Sequence, residues 1–282
     1  MIRRRTFLGY LVGLSATSSV VAASEKPIRL GMTPAFLHDQ HRLLDDWRKY
    51  MARRLGRPVE FVQRDSYRET MDMLRLESID FAWICDYPYV HLRKVVRLLA
   101  VPIYEGQPYY RAYLIVPARD MHTSSIVQLR GRVFAYADPY SNTGYLAPRF
   151  QLKQKGEDPA KFFSKTFFTY SHRKLIDAVG RGLAAGASVD SYVWDTVNRL
   201  TPEVAGRTRI VERSADYGFP PLVAHRSVSE ADFAAMQQLL LTMNNDTEGR
   251  ELLKRLSLDR FDAGKDKLYD GVATMMRAFG EE

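Results

Sequence analysis

The chain has 282 residues, of which 46% are hydrophobic and 26% are charged. This balance is typical of a globular protein with one large or two ordinary domains, and it excludes a largely disordered chain. The formal net charge is +8, but the basic residues are scattered without a long Lys/Arg block or a known nucleic-acid motif, so we predict no nucleic-acid partner.

Residues 1–23 have the pattern of an export signal. Three arginines at positions 3–5 precede an uncharged apolar run that ends in small residues. Residues 4–8 also resemble a twin-arginine signal, so both the Sec and the Tat export routes stay open. Cleavage would lower the formal net charge from +8 to +5, which still favours small anions. We therefore predict a soluble periplasmic protein.

Cys85 is the only cysteine in the sequence. A single cysteine excludes an intramolecular disulfide, although an exported protein meets an oxidising compartment. It also excludes zinc sites of the Cys₂His₂ kind. The sequence predicts neither a metal site nor a cofactor.

Strand and helix patterns alternate along the first part of the mature chain. We predict strands at 28–32, 59–62 and 79–84. Between them lie a helix ending near Gly56 and a helix opened by a capping box at Ser66. This alternation predicts a parallel sheet covered by helices.

A second set of elements follows two β-rich runs at 98–104 and 109–117, which are placed to lead from one lobe to another. The predicted strands are 132–137, 166–170, 187–193, 208–214 and 222–224, and the predicted helices follow Gly144 and cover 171–182, 229–243, 247–256 and 266–279. We predict an α/β protein whose lobe 1 comprises 24–112 plus 213–282 and whose lobe 2 comprises 113–212. Ligands of open α/β sheets bind beyond the carboxyl ends of the strands, so the site is expected in the cleft between the lobes.

Three polar side chains, Ser141, Asn142 and Thr143, stand before Gly144 at a strand-to-helix turn. Hydroxyl and amide donors at a helix N-terminus suit a tetrahedral oxyanion. The alternative is a plain helix cap, which needs only one of the three. Pro148 predicts an irregular first turn behind them.

Two later positions in the second lobe also lie at strand ends. His172 opens a helix, where it is either a ligand donor or a solvated first-turn residue. Asp190 and Tyr192 lie on the next predicted strand and its exit, where they are offered to the same cleft, and Asp190 could instead cap a helix beginning around Trp194.

In the first lobe, Cys85, Tyr87 and Tyr89 occupy the corresponding turn. The tyrosines would bring hydroxyl donors and apolar walls, or would pack in the core. A cysteine at a strand end is most often a small buried hydrophobe, and its alternative role is a soft ligand for trivalent arsenic.

Five ordered motifs resemble the phosphonate/phosphite/phosphate-type (PhnD-like) periplasmic binding proteins of ABC transporters. They occupy residues 79–90, 98–120, 129–149, 167–195 and 212–226, and the resemblance runs from about Ile28 to Gly280. It implies a type II periplasmic-binding-protein fold, in which two lobes joined by a two-strand hinge close on the ligand.

The resemblance also implies roles for particular residues. Ser141, Asn142 and Thr143 match the segment that holds the phosphonate-like oxygens, and His172 matches the family's histidine. Tyr89 matches its first-lobe tyrosine, and Tyr87 matches it less closely. Some members carry an acid that pairs with a ligand ammonium group, whose nearest counterparts here are Asp190 and Tyr192.

The residues and the resemblance leave three functional hypotheses. The first is capture of a small phosphorus oxyanion by a monomer that delivers it to a membrane permease. The second is a periplasmic sensor that binds arsenite through Cys85 and signals to a histidine kinase, as a related branch does. The third is an enzyme with Ser141, His172 and Asp190 as a triad, but the serine lacks the G-x-S-x-G elbow, so we predict no catalysis.

Overall fold

The computed structural model describes residues 26–34 and 41–281. The predicted export signal at 1–23 lies outside these residues. Within the described part of the chain, no helix combines the length and apolar character needed to cross a membrane. The same residues contain no cluster of three His, Cys, Asp or Glu side chains that could hold a metal ion.

The described residues form thirteen strands and ten α-helices. The strands are β1 Ile28–Met32, β2 Val59–Gln63, β3 Phe81–Trp83, β4 Val96–Ile103, β5 Tyr109–Tyr110, β6 Ala112–Pro117, β7 Val133–Tyr136, β8 Lys165–Phe168, β9 Gly186–Asp190, β10 Thr208–Arg213, β11 Tyr217–Gly218, β12 Leu222–His225 and β13 Arg260–Asp262. The helices are α1 His41–Leu55, α2 Tyr67–Arg75, α3 Asp86–Leu92, α4 Ala147–Gln154, α5 His172–Gly180, α6 Ser191–Leu200, α7 Pro202–Ala205, α8 Glu230–Leu241, α9 Thr247–Leu256 and α10 Asp270–Arg277.

The first lobe is built on a six-stranded sheet with the order β13-β4-β12-β3-β1-β2. Strands β2, β1 and β3 run parallel, as their alternation with helices predicts. Strand β12, which follows the second lobe in sequence, pairs antiparallel with β3 and β4. Its core surrounds Trp47, which packs edge-on against Phe61 and Trp83.

The second lobe is built on a five-stranded sheet with the order β10-β6-β9-β7-β8. Strands β7, β8 and β9 run parallel, and β6 runs antiparallel between β9 and β10. A separate two-stranded ribbon of β5 and β11 lies in sequence just before β6 and just after β10. The architecture is therefore the predicted one, with two α/β lobes and a two-strand connection.

The capping box predicted at Ser66 is present, because its side chain accepts from the N–H of Glu69 while the Glu69 carboxylate accepts from the N–H of Ser66. The irregular turn predicted from Pro148 is also present. Residues Asn142–Leu146 form one turn of π-helix, and Pro148 lies in the first turn of α4, where no backbone N–H is needed.

Two predicted boundaries are wrong. The strand predicted over 187–193 ends at Asp190, because the Asp190 carboxylate accepts from the N–H of Val193 and opens α6 three residues early. The helix predicted over 266–279 is a 3₁₀ turn over Asp266–Tyr269 followed by α10. The short strand β13 was not predicted from the sequence.

Candidate functional site

A small cavity lies between the lobes, beyond the carboxyl ends of β1, β3 and β9. Both lobes and the connection contribute to its walls, which are formed by Met32, Thr33, Tyr67, Trp83, Cys85, Asp190, Tyr192, Val193, Phe219 and Pro220. None of these residues is a lysine or an arginine. An anion in this cavity would therefore be held by neutral donors.

Ser141 and His172 form a buried hydrogen-bonded pair beside Asp190. The ring Nδ1 of His172 accepts the backbone N–H of Asp190 at 3.2 Å, so the neutral ring carries its proton on Nε2. Burial lowers the pKa of His172 to about 3, which keeps the ring neutral. Its Nε2 lies 3.1 Å from the Ser141 Oγ, and the N–H of Gly144 donates to the same oxygen at 3.0 Å. Because the Ser141 oxygen accepts two hydrogen bonds, its own proton is directed to a third partner.

Asn142 and Thr143 are fully buried and follow Ser141 in the π-helical turn. The Asn142 Nδ2 donates to Asp86 of the first lobe at 2.7 Å. The backbone carbonyl of Thr143 accepts from the Ser188 hydroxyl at 2.6 Å. Within the described residues, the Asn142 Oδ1 and the Thr143 hydroxyl have no hydrogen-bond partner. A buried hydroxyl without a partner costs free energy unless a ligand satisfies it.

Asp86 lies at the start of α3 and is completely buried. Its Oδ1 accepts from the N–H of Tyr87 at 3.0 Å, from the Tyr110 hydroxyl at 2.8 Å and from the Cys85 thiol at 3.0 Å. Its Oδ2 accepts from Asn142. Burial raises the pKa of Asp86 to about 6, although these hydrogen bonds oppose the shift.

Asp190 lies in the cavity wall with its side chain buried. Its Oδ1 accepts from the N–H of Val193 at 3.2 Å, so the capping role that the sequence allowed is confirmed. Burial raises the pKa of Asp190 to about 8, and the nearby Asp86 adds to the shift. The group is therefore ready to exchange a proton with a ligand near neutral pH.

Cys85 also lies in the cavity wall, and the structure describes it as a free, buried thiol. Burial raises its pKa well above the ordinary value, and the neighbouring Asp86 raises it further. The sulfur lies 3.7 Å from the Tyr110 hydroxyl in addition to its contact with Asp86. Cys85 is therefore a neutral thiol within a polar cluster rather than a thiolate.

The three tyrosines named from the sequence have different surroundings. The ring of Tyr192 lines the cavity, while its hydroxyl donates to the carbonyl of Leu256. Tyr87 and Tyr89 lie on α3, and their hydroxyls donate to Glu281 and to Asp266. Their roles as ligand contacts stay predictions, because these hydroxyls are engaged by C-terminal residues and neither ring is part of the cavity wall.

Sequence reasoning missed several residues of the site. Thr33 follows β1 and Tyr67 opens α2, so the strand-end rule that identified Ser141 would also have found them. Phe219 lies in the connection after β11, where no local pattern signals a cavity wall. Asp86 lies between Cys85 and Tyr87, which were predicted site residues, but nothing in the local sequence indicates that its carboxylate accepts four hydrogen bonds.

A wider groove at the mouth of the cleft is lined by residues of both lobes. It contains the half-exposed Tyr170, which has a φ of +53°, and charges of both signs. The cations are Arg68, Arg173, Lys174 and Arg181, and the acids are Asp65, Asp138 and Asp177, of which Asp177 pairs with Arg181. Arg68 crosses between the lobes, where it donates to the Tyr140 hydroxyl at 2.7 Å. The positive side chains are therefore at the entrance and not in the cavity.

A family model described as the periplasmic substrate-binding protein of phosphonate ABC transporters matches residues 30–269. A relative named phosphonates-binding periplasmic protein, from Escherichia coli strain K12, is 21% identical over 266 residues, which cover 91% of this chain and 78% of the relative.

Two solved structures share the fold with a TM-score of 0.82. One is a binding-protein component of an ABC phosphonate transporter from Pseudomonas aeruginosa, with 20% identity over 89% of this chain and 86% of that chain. The other is PhnD1 from Prochlorococcus marinus in complex with methylphosphonate, with 18% identity over 91% of this chain and 99% of that chain.

Proposed function

The chain belongs to the periplasmic substrate-binding proteins of phosphonate ABC transporters, and from this membership we propose that it captures a small phosphonate-like oxyanion between its lobes and delivers it to an inner-membrane permease. The observation that carries the proposal is the arrangement around Ser141. Two donors fix its oxygen as an acceptor, so its own proton points to a third partner. We assign that partner to a ligand oxygen, which has to reach Ser141 behind the cavity wall, because Ser141 is fully buried and does not line the cavity. The unpartnered Thr143 hydroxyl, two residues further along the chain, is a second donor of the same kind.

The neutral donors agree with an oxyanion of modest charge. The π-helical turn and α4 begin at Ser141 and point their N-terminal end toward the strand ends, so the backbone also favours negative charge there.

Asp190 sets a pH condition on binding. With a pKa of about 8, its carboxyl is mostly protonated at neutral pH and can donate a hydrogen bond to an oxyanion, whereas above that pKa the ionised carboxylate repels a fully ionised anion. An aminoalkyl phosphonate keeps a favourable partner there, because its ammonium group pairs with the carboxylate. We therefore propose that affinity for a simple phosphorus oxyanion falls as the pH rises through about 8.

Binding without turnover follows from the same geometry. A serine nucleophile needs an unprotonated histidine nitrogen beside it, whereas His172 presents Nε2–H to Ser141. The Asp190 carboxylate caps α6 and does not hold the imidazole, because it is the backbone of Asp190 that contacts His172. Hydrolysis of a chromogenic ester or phosphate, lost in Ser141→Ala, would overturn this part of the proposal.

The arsenite sensor is the second candidate, and the observation that favours it is the position of Cys85 in the cavity wall. Against it, the thiol is neutral and donates to Asp86, and the sequence offers no second cysteine for trivalent arsenic. Thermal shifts with arsenite on the wild type and on Cys85→Ser separate the two. A stabilisation by arsenite that disappears in the variant would favour the sensor.

Binding is tested by thermal denaturation and calorimetry of the mature protein with methylphosphonate, phosphite, phosphate and sulfate. A ligand at 100 times its dissociation constant stabilises the folded state by about 2.7 kcal/mol. We expect stabilisation at pH 7 by at least one phosphorus oxyanion. Ser141→Ala should weaken binding by about tenfold or more, because it removes a hydrogen bond to a charged group.

The matched control is Ser227→Ala. Ser227 also contacts a histidine, with its hydroxyl 2.6 Å from the Nδ1 of His225, but it lies in the first lobe away from the cavity wall. The affinity of the Ser227→Ala variant for the same oxyanion should equal that of the wild type. Absence of a shift with every phosphorus oxyanion would remove the proposed function.

A further inference from the structure

Asp86 lies in a hydrogen-bonded cluster with Tyr110 and Asn142 that joins both lobes and the connection between them. It belongs to α3 of the first lobe, Tyr110 belongs to β5 of the ribbon, and Asn142 belongs to the ligand-holding turn of the second lobe. Its hydrogen bonds to Tyr110 and Asn142 measure 2.8 and 2.7 Å. The Asn142 amide also lies 3.4 Å from the Tyr110 hydroxyl, so the three groups are in mutual contact.

The chemistry at position 86 requires two acceptor oxygens. Hydroxyl and thiol protons rotate, but the N–H of Tyr87 is fixed by the backbone, and it points at one carboxylate oxygen while Asn142 points at the other. Only a carboxylate supplies acceptors on both sides. A residue that served merely to cap α3 would need one.

The direction of the Asn142 amide has a consequence for the ligand turn. Asn142 stands between Ser141 and Thr143, yet its donor is used by the first lobe. Its remaining polar atom, Oδ1, is an acceptor and cannot bind an oxyanion. Asn142 therefore differs in role from its two neighbours, which offer hydroxyls.

We propose that Asp86 is a positioning residue that couples the ligand-holding turn to the first lobe and the connection, by holding Asn142 when the lobes meet. The proposal rests on the proposed function, because the turn it positions is the one assigned to the oxyanion. The bond between Asp86 and Asn142 forms only while the two lobes are in contact, so it favours the arrangement in which donors from both lobes surround a ligand. Loss of the bond lowers the population of that arrangement and hence the apparent affinity.

The test is a double-mutant cycle with methylphosphonate as the probe, comparing the wild type, Asp86→Ala, Asn142→Ala and the double variant. Each single variant should bind about tenfold more weakly, with the loss in the dissociation rate rather than the association rate. The double variant should bind no more weakly than the weaker single variant. If Asn142 contacted the ligand independently of Asp86, the two losses would multiply, and that result would overturn the proposal.

Two further variants keep the test interpretable. Asp246→Ala is the matched control, because Asp246 is a partly exposed carboxylate that accepts from the Tyr50 hydroxyl and the N–H of Gly249, both in the first lobe, and has no bond to the ligand-holding turn. It should lose thermal stability while keeping its affinity. Should Asp86→Ala fail to fold, Asp86→Asn serves in its place. Its loss of affinity should be smaller, because the Asn142 amide can rotate so that its oxygen accepts from the new amide at position 86.

The distance between the lobes gives a readout that needs no ligand. Dyes at Leu76→Cys in the first lobe and Leu183→Cys in the second, both exposed positions, report it while the buried Cys85 stays unlabelled. We expect a larger mean distance in Asp86→Ala than in the wild type or the Asp246 control. Equal distances would overturn the coupling, even if the wild type bound no methylphosphonate and the proposed function failed.

Discussion

The backbone N–H of Asp190 donates to the Nδ1 of His172, and this bond of 3.2 Å joins the end of β9 to the start of α5. Its effect reaches Ser141, because fixing the acceptor at Nδ1 fixes the donor at Nε2. The protonation state of His172 therefore decides which way the Ser141 hydroxyl donates. A protonated ring would repel the Asp190 N–H and break this arrangement.

His172→Gln should change how stability depends on pH. The pKa of His172 is lowered from 6.5 to about 3 by burial, so the unfolded chain takes up a proton below pH 6.5 that the folded protein refuses. The wild type should lose free energy of unfolding as the pH falls from about 6.5 toward 3, by up to about 1.4 kcal/mol per pH unit from this group. The variant should lack that contribution. Urea unfolding at pH 7.0 and 5.0 measures it, and an equal loss in both proteins would contradict the assignment.

Asp190→Asn should change the pH dependence of stability in the opposite direction. The pKa of Asp190 is raised from 3.8 to about 8, so the unfolded chain loses its proton first as the pH rises, and ionisation favours unfolding throughout that interval. The variant should therefore become progressively more stable than the wild type between about pH 5 and 8, while Asn still caps α6. Thermal denaturation across that range tests it, with the exposed Asp158→Asn as the control. A difference that stays constant with pH would refute the raised pKa.

Asp190→Asn also tests the pH condition on binding. An amide remains a donor at every pH, whereas the wild-type carboxyl becomes a repelling carboxylate above its pKa of about 8. Affinity for methylphosphonate should therefore fall more between pH 7 and 9 in the wild type than in the variant. Calorimetry at both pH values decides this, and equal changes in the two proteins would remove Asp190 from anion recognition.

The sequence predicted where the site would lie better than which side chains would line it. The strand-end rule placed Cys85, Asp190 and Tyr192 in the cavity wall, because the carboxyl ends of parallel strands share one edge of a sheet. The other second-lobe residues it named are buried outside that wall, and ligand contact stays a prediction for all of them; they are Ser141, Asn142, Thr143 and His172. The directions of Tyr87 and Tyr89 were not predictable in the same way. Their hydroxyls meet residues 281 and 266, and no local pattern indicates that the C-terminal segment packs against α3.

The predicted end of a strand was wrong where a side chain competes with the backbone for hydrogen bonds. Residues 191–193 have the apolar and aromatic character of a strand, yet the Asp190 cap starts a helix there. The role of Asp86 was beyond reach for a different reason. Its partner Asn142 lies 56 positions away in another lobe, and the choice between a ligand contact and a bond between lobes depends on how the lobes meet.

Gly144→Ala should disrupt the ligand turn. A Cβ at this position would lie 2.4 Å from the Cβ of Ala137, 2.9 Å from the Ser141 Oγ and 3.0 Å from the Cε1 of His172. We expect a loss of about 1–3 kcal/mol in the free energy of unfolding, as for other overpacked sites, together with loss of oxyanion binding. Gly271→Ala is the control, because a Cβ there meets nothing within 4 Å and α10 gains helix propensity. Wild-type affinity in Gly144→Ala would show that the turn tolerates displacement and is not the ligand-holding segment.

Cys85 should react slowly with thiol reagents in the native protein. Its side chain is buried and its pKa is raised well above the ordinary value, so little thiolate is present at neutral pH. We expect a disulfide-forming reagent to modify it at least about a hundredfold more slowly in buffer than in urea, and more slowly still with a saturating oxyanion that holds the lobes together. Cys85→Ser, which keeps a donor to Asp86, should bind that oxyanion within about threefold of the wild type. Rapid labelling of the native thiol, unaffected by ligand, would show that the cavity wall is open to solvent and that Cys85 is available as a soft ligand.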